Sequence, residues 1–98
     1  MNKEKSFTIG RARQCDIVLA DDSVSRQHAK ITFMPDGTML LIDCRSSLGT
    51  SLVDNQGRVT KINQECVSPL DLISFGGCQL KVKDLIESIQ LTKSEARS

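Results

Sequence analysis

Three short polar segments hold most of the side chains that could do chemistry in this chain of 98 residues. They span residues 9–11, 25–28 and 46–50, and Arg45 directly precedes the third. Guanidinium forks, hydroxyl groups and glycine-rich backbone N–H groups are the donors with which proteins hold phosphate oxygens. The residues of these segments that offer such donors, together with the adjacent Arg45, are Gly10, Arg11, Ser25, Arg26, His28, Arg45, Ser46, Ser47, Gly49 and Thr50. This composition predicts a site that binds a phosphate group.

The same segments lack what an enzyme would need. No nucleophile is paired with a base and an orienting group, and no Gly-x-x-x-x-Gly-Lys loop is present. His28 is the only histidine. We interpret it as a structural residue whose ring nitrogens tie neighbouring loops together. The chain is therefore expected to be a binding module and not an enzyme, with no cofactor and no metal ion.

The four cysteines are Cys15, Cys44, Cys66 and Cys78. None forms a close pair of the kind that zinc and redox motifs use. Their number alone would allow a disulfide framework. We favour free, mostly buried thiols in a reducing compartment.

The formal net charge of +1 excludes a strong general attraction to nucleic acid or to an anionic membrane. No apolar run approaches the roughly 18 residues of a membrane-spanning helix. The charged start of the chain is not followed by the hydrophobic stretch of a signal peptide. We therefore expect no nucleic-acid partner, no membrane insertion and a cytoplasmic location.

Short alternating strands separated by turns run through most of the chain. Residues 5–9 alternate polar and apolar side chains and end at Gly10, which is typical of a strand. Further strands are predicted at residues 17–19, 29–33, 38–43, 51–53, 58–62, 71–75 and 78–83, with an irregular stretch at 63–70. Turns are predicted at residues 35–37 and 76–77. This pattern predicts an all-β fold, an antiparallel β-sandwich.

The pattern changes after Asp84. Leu85, Ile86 and Ile89 fall at helical spacing and predict a short amphipathic helix. We expect one domain over residues 1–84 and a tail or linker over residues 85–98.

The spacing of the motifs resembles the signature of the forkhead-associated (FHA) domain. The resemblance rests on Gly10-Arg11, Ser25-x-x-His28 and Ser47-Leu48-Gly49-Thr50, and it is extended by residues 15–19 and 22–29. It runs from about Phe7 to Val82. The chain is identified as a member of the family, and we expect it to be a bacterial one. The resemblance implies an FHA/SMAD-like β-sandwich whose loops bind phosphothreonine peptides at one end.

The resemblance also implies roles for individual residues. Arg11 and Ser25 would contact the phosphate, and Arg26 would contact the phosphate or the peptide backbone. Ser47 would line the phosphate and the pocket for the methyl group of threonine. Leu48 would lie against the peptide. Four residues would hold the loops in place: Gly10, His28, Gly49 and Thr50.

Two features depart from the family pattern. Leu48 stands where the family normally has an asparagine that hydrogen-bonds the peptide main chain, and leucine has no polar group to replace it. Loss of such a contact costs about 1–3 kcal/mol, or roughly ten- to a hundredfold in affinity. The strands that usually precede the Gly-Arg motif are short or missing. This shortening can expose a sheet edge and invite self-association.

Two functions remain open from the sequence. The first is a module that recognises phosphothreonine in a protein modified by a Ser/Thr kinase. The second is a degenerate FHA scaffold used for phosphate-independent assembly, for example in a bacterial secretion or signalling complex. Leu48 raises the weight of the second function.

Overall fold

The computed structural model describes the backbone of residues 4–97 and the side chains of residues 4–89. Within this part of the chain it contains nine β-strands and one α-helix. The strands are β1 (Lys5–Gly10), β2 (Ile17–Val18), β3 (Ala29–Phe33), β4 (Met39–Asp43), β5 (Thr50–Val53), β6 (Val59–Ile62), β7 (Gln64–Val67), β8 (Leu72–Phe75) and β9 (Cys78–Lys81), and the helix is α1 (Val82–Arg97).

The strands form two sheets. One has the order β2-β1-β3-β4-β7 and the other has the order β6-β5-β8-β9. Every neighbouring pair is antiparallel except β1 and β2, which run parallel with Ile9 beside Ile17. The predicted antiparallel β-sandwich with a short C-terminal helix is therefore confirmed, with one parallel pair added.

The core lies between the sheets and is mostly aliphatic. Its largest fully buried side chains include Phe75, Ile9, Ile31, Leu41 and Ile73. Alternation along the strands directs these residues inward, as the period of two in a strand requires. Burial of such side chains is the main term that stabilises a small domain, at about 25 cal/mol per Å² of apolar surface.

The prediction of an irregular stretch at residues 63–70 is wrong in part, because β7 pairs with β4 there. β7 is an edge strand, and only Val67 of its four side chains is buried. A strand with so little inward-facing surface carries no alternating pattern to reveal it. The predicted strand over residues 78–83 is also too long, since β9 ends at Lys81 and the helix begins at Val82.

The first turns of α1 belong to the same core as the sheets. Val82, Leu85 and Ile89 are buried in it, and the carboxylate of Asp84 accepts a hydrogen bond from the backbone N–H of Lys81 at 3.3 Å. The domain limit at residue 84 remains a prediction. In the described part of the chain, no helix has the length and apolar character needed to cross a membrane.

The expectation that the thiols are mostly buried is wrong. All four are free, but only Cys15 is buried; Cys44 and Cys66 are exposed and Cys78 is half-buried. Cys44 lies in the loop after β4, and Cys66 lies on the edge strand β7, so neither faces the core.

The leading edge of the first sheet is only partly covered. β2 pairs with the last two residues of β1, Ile9 and Gly10. Between Lys5 and Thr8, β1 has a strand partner only on the β3 side among the residues that the structure describes. Thr8 N–H is nevertheless bonded, since it donates to the carboxylate of Asp16 at 2.9 Å.

The pairing registers place the three polar segments at one end of the sandwich. Ile9 pairs with Ala29, and Ala29 pairs with Asp43, so β1 ends where β3 begins and where β4 ends. In the other sheet, Thr50 at the start of β5 pairs with Phe75 at the end of β8. The loops that follow β1, precede β3 and join β4 to β5 therefore meet.

Candidate functional site

Arg11 is anchored so that its guanidinium fork faces outward. Its backbone N–H donates to the carbonyl of Ser25 at 3.0 Å, and its Nε–H donates to the carbonyl of Val24 at 3.0 Å. Among the described residues, the two Nη groups have no acceptor. An exposed guanidinium held through Nε can offer both Nη groups to an oxyanion in a fixed orientation.

Ser25 joins the second and third segments. Its Oγ accepts a hydrogen bond from the backbone N–H of Ser47 at 3.0 Å. Because one lone pair of Oγ is used in this way, the Ser25 O–H is directed elsewhere and can donate to a ligand. The half-buried hydroxyl therefore lies in the same group of loops as the Arg11 fork.

His28 connects the loop that contains Ser25 to the loop that contains Ser47 and Gly49. Its side chain is fully buried, and its Nδ1 accepts a hydrogen bond from Ser25 N–H at 3.0 Å. The proton must therefore be on Nε2, which donates to the Gly49 carbonyl at 2.9 Å. The ring also packs edge-on against Phe75, with centroids 5.8 Å apart. Both nitrogens are thus used within the protein.

Gly10 and Gly49 are required for two different reasons. A Cβ at Gly10 would lie 2.2 Å from the carbonyl oxygen of Arg26, so the two loops approach too closely for any side chain. Gly49 has φ +89°, a conformation that L side chains rarely adopt, and a Cβ there would lie 2.6 Å from Cε of Lys61. The two glycines therefore permit the close approach of the loops.

A carboxylate fixes the shape of the third segment. Asp43 accepts hydrogen bonds from the hydroxyl of Ser46 at 2.5 Å and from that of Thr50 at 2.7 Å. Partial burial raises the pKa of Asp43, but these hydroxyls and the Ser46 N–H outweigh it and hold the pKa below its usual range. Arg45, which lies between Asp43 and Ser46 in the chain, adopts a left-handed backbone conformation with φ 57°. The loop is thus held at both ends by a charged acceptor.

The remaining predicted phosphopeptide-binding residues, Arg26 and Ser47, lie on the exposed surface of the loops at this end of the sandwich. The Arg26 side chain is exposed beside a shallow depression that Ala12, Gln14 and Gln27 also line. The Arg26 carbonyl accepts bonds from Ala12 N–H at 3.1 Å and from Cys15 Sγ–H at 3.2 Å. Ser47 is exposed next to Ser25.

Leu48 is 64% exposed. Its side chain is therefore not part of the core. The structure leaves an apolar group exposed on the loop between β4 and β5.

The model of the FHA domain family matches residues 7–76. The chain belongs to the FHA family. No curated protein sequence matches it.

Solved FHA structures share the fold. The FHA domain of the CT664 protein from Chlamydia trachomatis is 32% identical, with 81% of this chain and 75% of that chain covered and a TM-score of 0.68. An FHA domain studied for its phosphothreonine-dependent interactions is 26% identical, with 82% and 77% covered and a TM-score of 0.69. The N-terminal FHA domain of Rad53p from S. cerevisiae, in complex with a phosphothreonine peptide, is 34% identical, with 70% and 54% covered and a TM-score of 0.59. FHA relatives of this chain therefore bind phosphothreonine peptides.

Sequence reasoning missed several residues at this end of the FHA domain. The sequence predicts only a turn at residues 76–77, yet Gly76 N–H donates to the Gly49 carbonyl at 3.0 Å and Gly77 N–H donates to Ser23 Oγ at 2.7 Å. Asp43 and Lys61 were also missed. The position of Asp43, at a strand end before a hydroxyl-rich loop, was a usable signal. The placement of Lys61 depends on strand pairing, which no local motif reveals.

Proposed function

We propose that this FHA domain recognises a phosphothreonine peptide in a protein modified by a Ser/Thr kinase. The observation that carries the proposal is the anchoring of Arg11. Its Nε–H is bonded to the Val24 carbonyl, and no described residue accepts a hydrogen bond from its Nη groups, at the end of the sandwich where the serine loops meet. A phosphate carries nearly two negative charges at pH 7 and three acceptor oxygens, which suits such a fork.

The neighbouring groups complete the proposed phosphate site. The Ser25 hydroxyl would donate to a second phosphate oxygen, since its own acceptor position is taken by Ser47 N–H. The exposed Arg26 would contact the phosphate or the peptide backbone. The Ser47 side chain would line the phosphate and the pocket for the threonine methyl group. We assign Gly10, His28, Gly49 and Thr50 to the support of these groups.

Binding by such a site needs no large rearrangement. His28, Asp43 and the two glycines already hold the loops through bonds within the protein. The entropic cost of ordering the donors is therefore met during folding, which favours affinity. Because the net charge is only +1, discrimination must come from the geometry of the donors and not from bulk attraction.

We also propose that the protein acts in a bacterial cytoplasm, where Ser/Thr kinases supply its targets. Similar FHA domains occur in Chlamydia trachomatis and in Mycobacterium tuberculosis. The net charge gives no reason to expect nucleic acid as a partner.

The test is fluorescence polarisation against a degenerate phosphothreonine peptide library. The matched controls are the same library with unmodified threonine and with phosphoserine. We expect binding to the phosphothreonine peptides, much weaker binding to phosphoserine, and none to the unmodified set. Equal binding to phosphorylated and unphosphorylated peptides would contradict the proposal.

A second function, phosphate-independent assembly, is favoured by two specific observations. Leu48 presents an exposed apolar side chain, and β1 has no strand partner on its outer side between Lys5 and Thr8 among the residues that the structure describes. In this case the domain would associate with another copy or a partner through that edge. Light scattering over a concentration series, for the parent and a Ser6→Pro variant, tests it, because the Ser6 N–H lies on the same side of β1 as that of Thr8, away from β3. A monomer at all concentrations that binds only phosphorylated partners would contradict this function.

A further inference from the structure

A lysine from the second sheet lies across the third loop of the site. Lys61 belongs to β6 and pairs with Ser51 of β5. Its Cε lies 2.6 Å, and its Nζ 3.4 Å, from the place where a Cβ on Gly49 would be. The aliphatic stem of Lys61 thus fills the space that the absence of a side chain at Gly49 leaves open, and its ammonium group reaches the loop of Ser47 and Leu48.

The ammonium group of Lys61 lies on the outer surface of its sheet. Ile62, the next residue, is buried in the core, so alternation directs Lys61 to the outer surface. The Lys61 side chain is exposed. Among the residues whose side chains are described, none forms an ion pair with it. A lysine whose aliphatic stem packs on the protein keeps its ammonium group in water, where that group can bind an anionic partner.

We infer that Lys61 selects for an acidic side chain in the bound peptide, close to the phosphothreonine. The inference rests on the proposed phosphopeptide function. The phosphate itself has its own donors at Arg11 and Ser25, and Lys61 lies further along the loop, beside Gly49. The preferred target is therefore a phosphothreonine segment that also contains aspartate or glutamate.

The length of the loop limits where that acidic residue can lie. Ser47 and Gly49 are two residues apart, and two residues span at most about 7 Å. Lys61 Nζ lies 3.4 Å from the Cβ position of Gly49, so the ammonium group lies within roughly 12 Å of the Ser47 backbone. An extended peptide rises about 3.3 Å per residue, so the acidic residue falls within about four positions of the phosphothreonine.

The expected effect is modest, because both charges are exposed to water. Exposed ion pairs contribute enough for about a two- to fivefold change in affinity. Salt screens such a pair, so the preference should shrink as the ionic strength rises. The proposed contacts of the Arg11 fork with the phosphate would be bidentate and should be less sensitive.

The experiment is fluorescence polarisation with one phosphothreonine peptide in which each flanking position is changed in turn to aspartate, asparagine or lysine. The proteins are the parent, Lys61→Ala, Lys61→Glu and the control Lys81→Ala. Lys81 is exposed in the same sheet and pairs with Leu72, at the end of β8 away from Phe75. Thermal unfolding of each variant confirms that it is folded.

We expect one position at which aspartate binds about two- to fivefold more tightly than asparagine to the parent and to Lys81→Ala. Lys61→Ala should abolish this difference, and Lys61→Glu should favour lysine there. Phosphate-dependent binding with no charge preference would overturn the inference and leave the proposed function standing. An equal loss for all phosphopeptides in Lys61→Ala would also overturn it, because Lys61 would then act on the phosphate. Absence of any phosphate-dependent binding would overturn both.

Discussion

Replacement of His28 by leucine should strongly destabilise the domain. The variant keeps an apolar side chain of similar size against Phe75 but removes both ring hydrogen bonds. Ser25 N–H then loses its acceptor in a half-buried position. The Gly49 carbonyl loses one donor but keeps the bond from Gly76 N–H.

The magnitude follows from these two losses. An unsatisfied donor costs about 1–3 kcal/mol, and the weakened Gly49 carbonyl costs about 1 kcal/mol more. The sum is about 2–4 kcal/mol, against a total stability of about 5–15 kcal/mol for a domain of this size. The unfolding temperature should fall by roughly 10–30 °C. The variant should therefore still fold at low temperature.

Urea unfolding followed by circular dichroism measures this difference. A suitable control is Thr38→Val, which removes the exposed hydroxyl bond to Asp36 and should change stability by no more than about 0.5 kcal/mol. If His28→Leu had the same midpoint and slope as the parent protein, the assigned structural role of the ring would be wrong.

Three further predictions concern the loops. Leu48→Asn should tighten phosphopeptide binding by roughly ten- to a hundredfold in a polarisation assay, and unchanged affinity would mean that the loop is oriented differently from the family pattern. Gly10→Ala should lower stability by about 1–3 kcal/mol in urea, because its Cβ would overlap the Arg26 carbonyl, and an unchanged midpoint would contradict that overlap. The lowered pKa of Asp43 stabilises the fold above the ordinary aspartate value of about 3.9, and this stabilisation is lost as the pH falls through the folded pKa. Asp43→Asn should accordingly flatten the acid limb of a stability–pH profile, and an equally steep limb would count against that role.

The fold followed from the sequence where strands were half-buried and turns carried their usual residues. The alternation along β3 is sufficient to predict that strand, and the glycines at 76–77 are sufficient to predict the turn between β8 and β9. The sequence does not predict β7, because three of its four side chains are exposed. The start of α1 was misplaced because Val82 is apolar and inward-facing in either a strand or a helix.

The sequence predicts the segments that form the candidate site. It does not predict the contacts that hold these segments in place. The order of Arg11, Ser25 and Ser47 was visible as a motif. The bond from Arg11 Nε to the Val24 carbonyl and the position of Lys61 over Gly49 depend on loop geometry and on register between strands. Such tertiary contacts leave no local signal in a single sequence.

The most direct test of the central claim is calorimetric titration of one phosphothreonine peptide into the parent protein, Arg11→Ala and Arg13→Ala. Arg13 is a matched control, since it is exposed in the same loop. Hydrogen bonds to charged groups contribute about 1.5–3 kcal/mol each, so Arg11→Ala should lose at least about tenfold in affinity. Arg13→Ala should bind nearly as the parent does. Equal binding by all three proteins would contradict the claim that the Arg11 fork holds the phosphate.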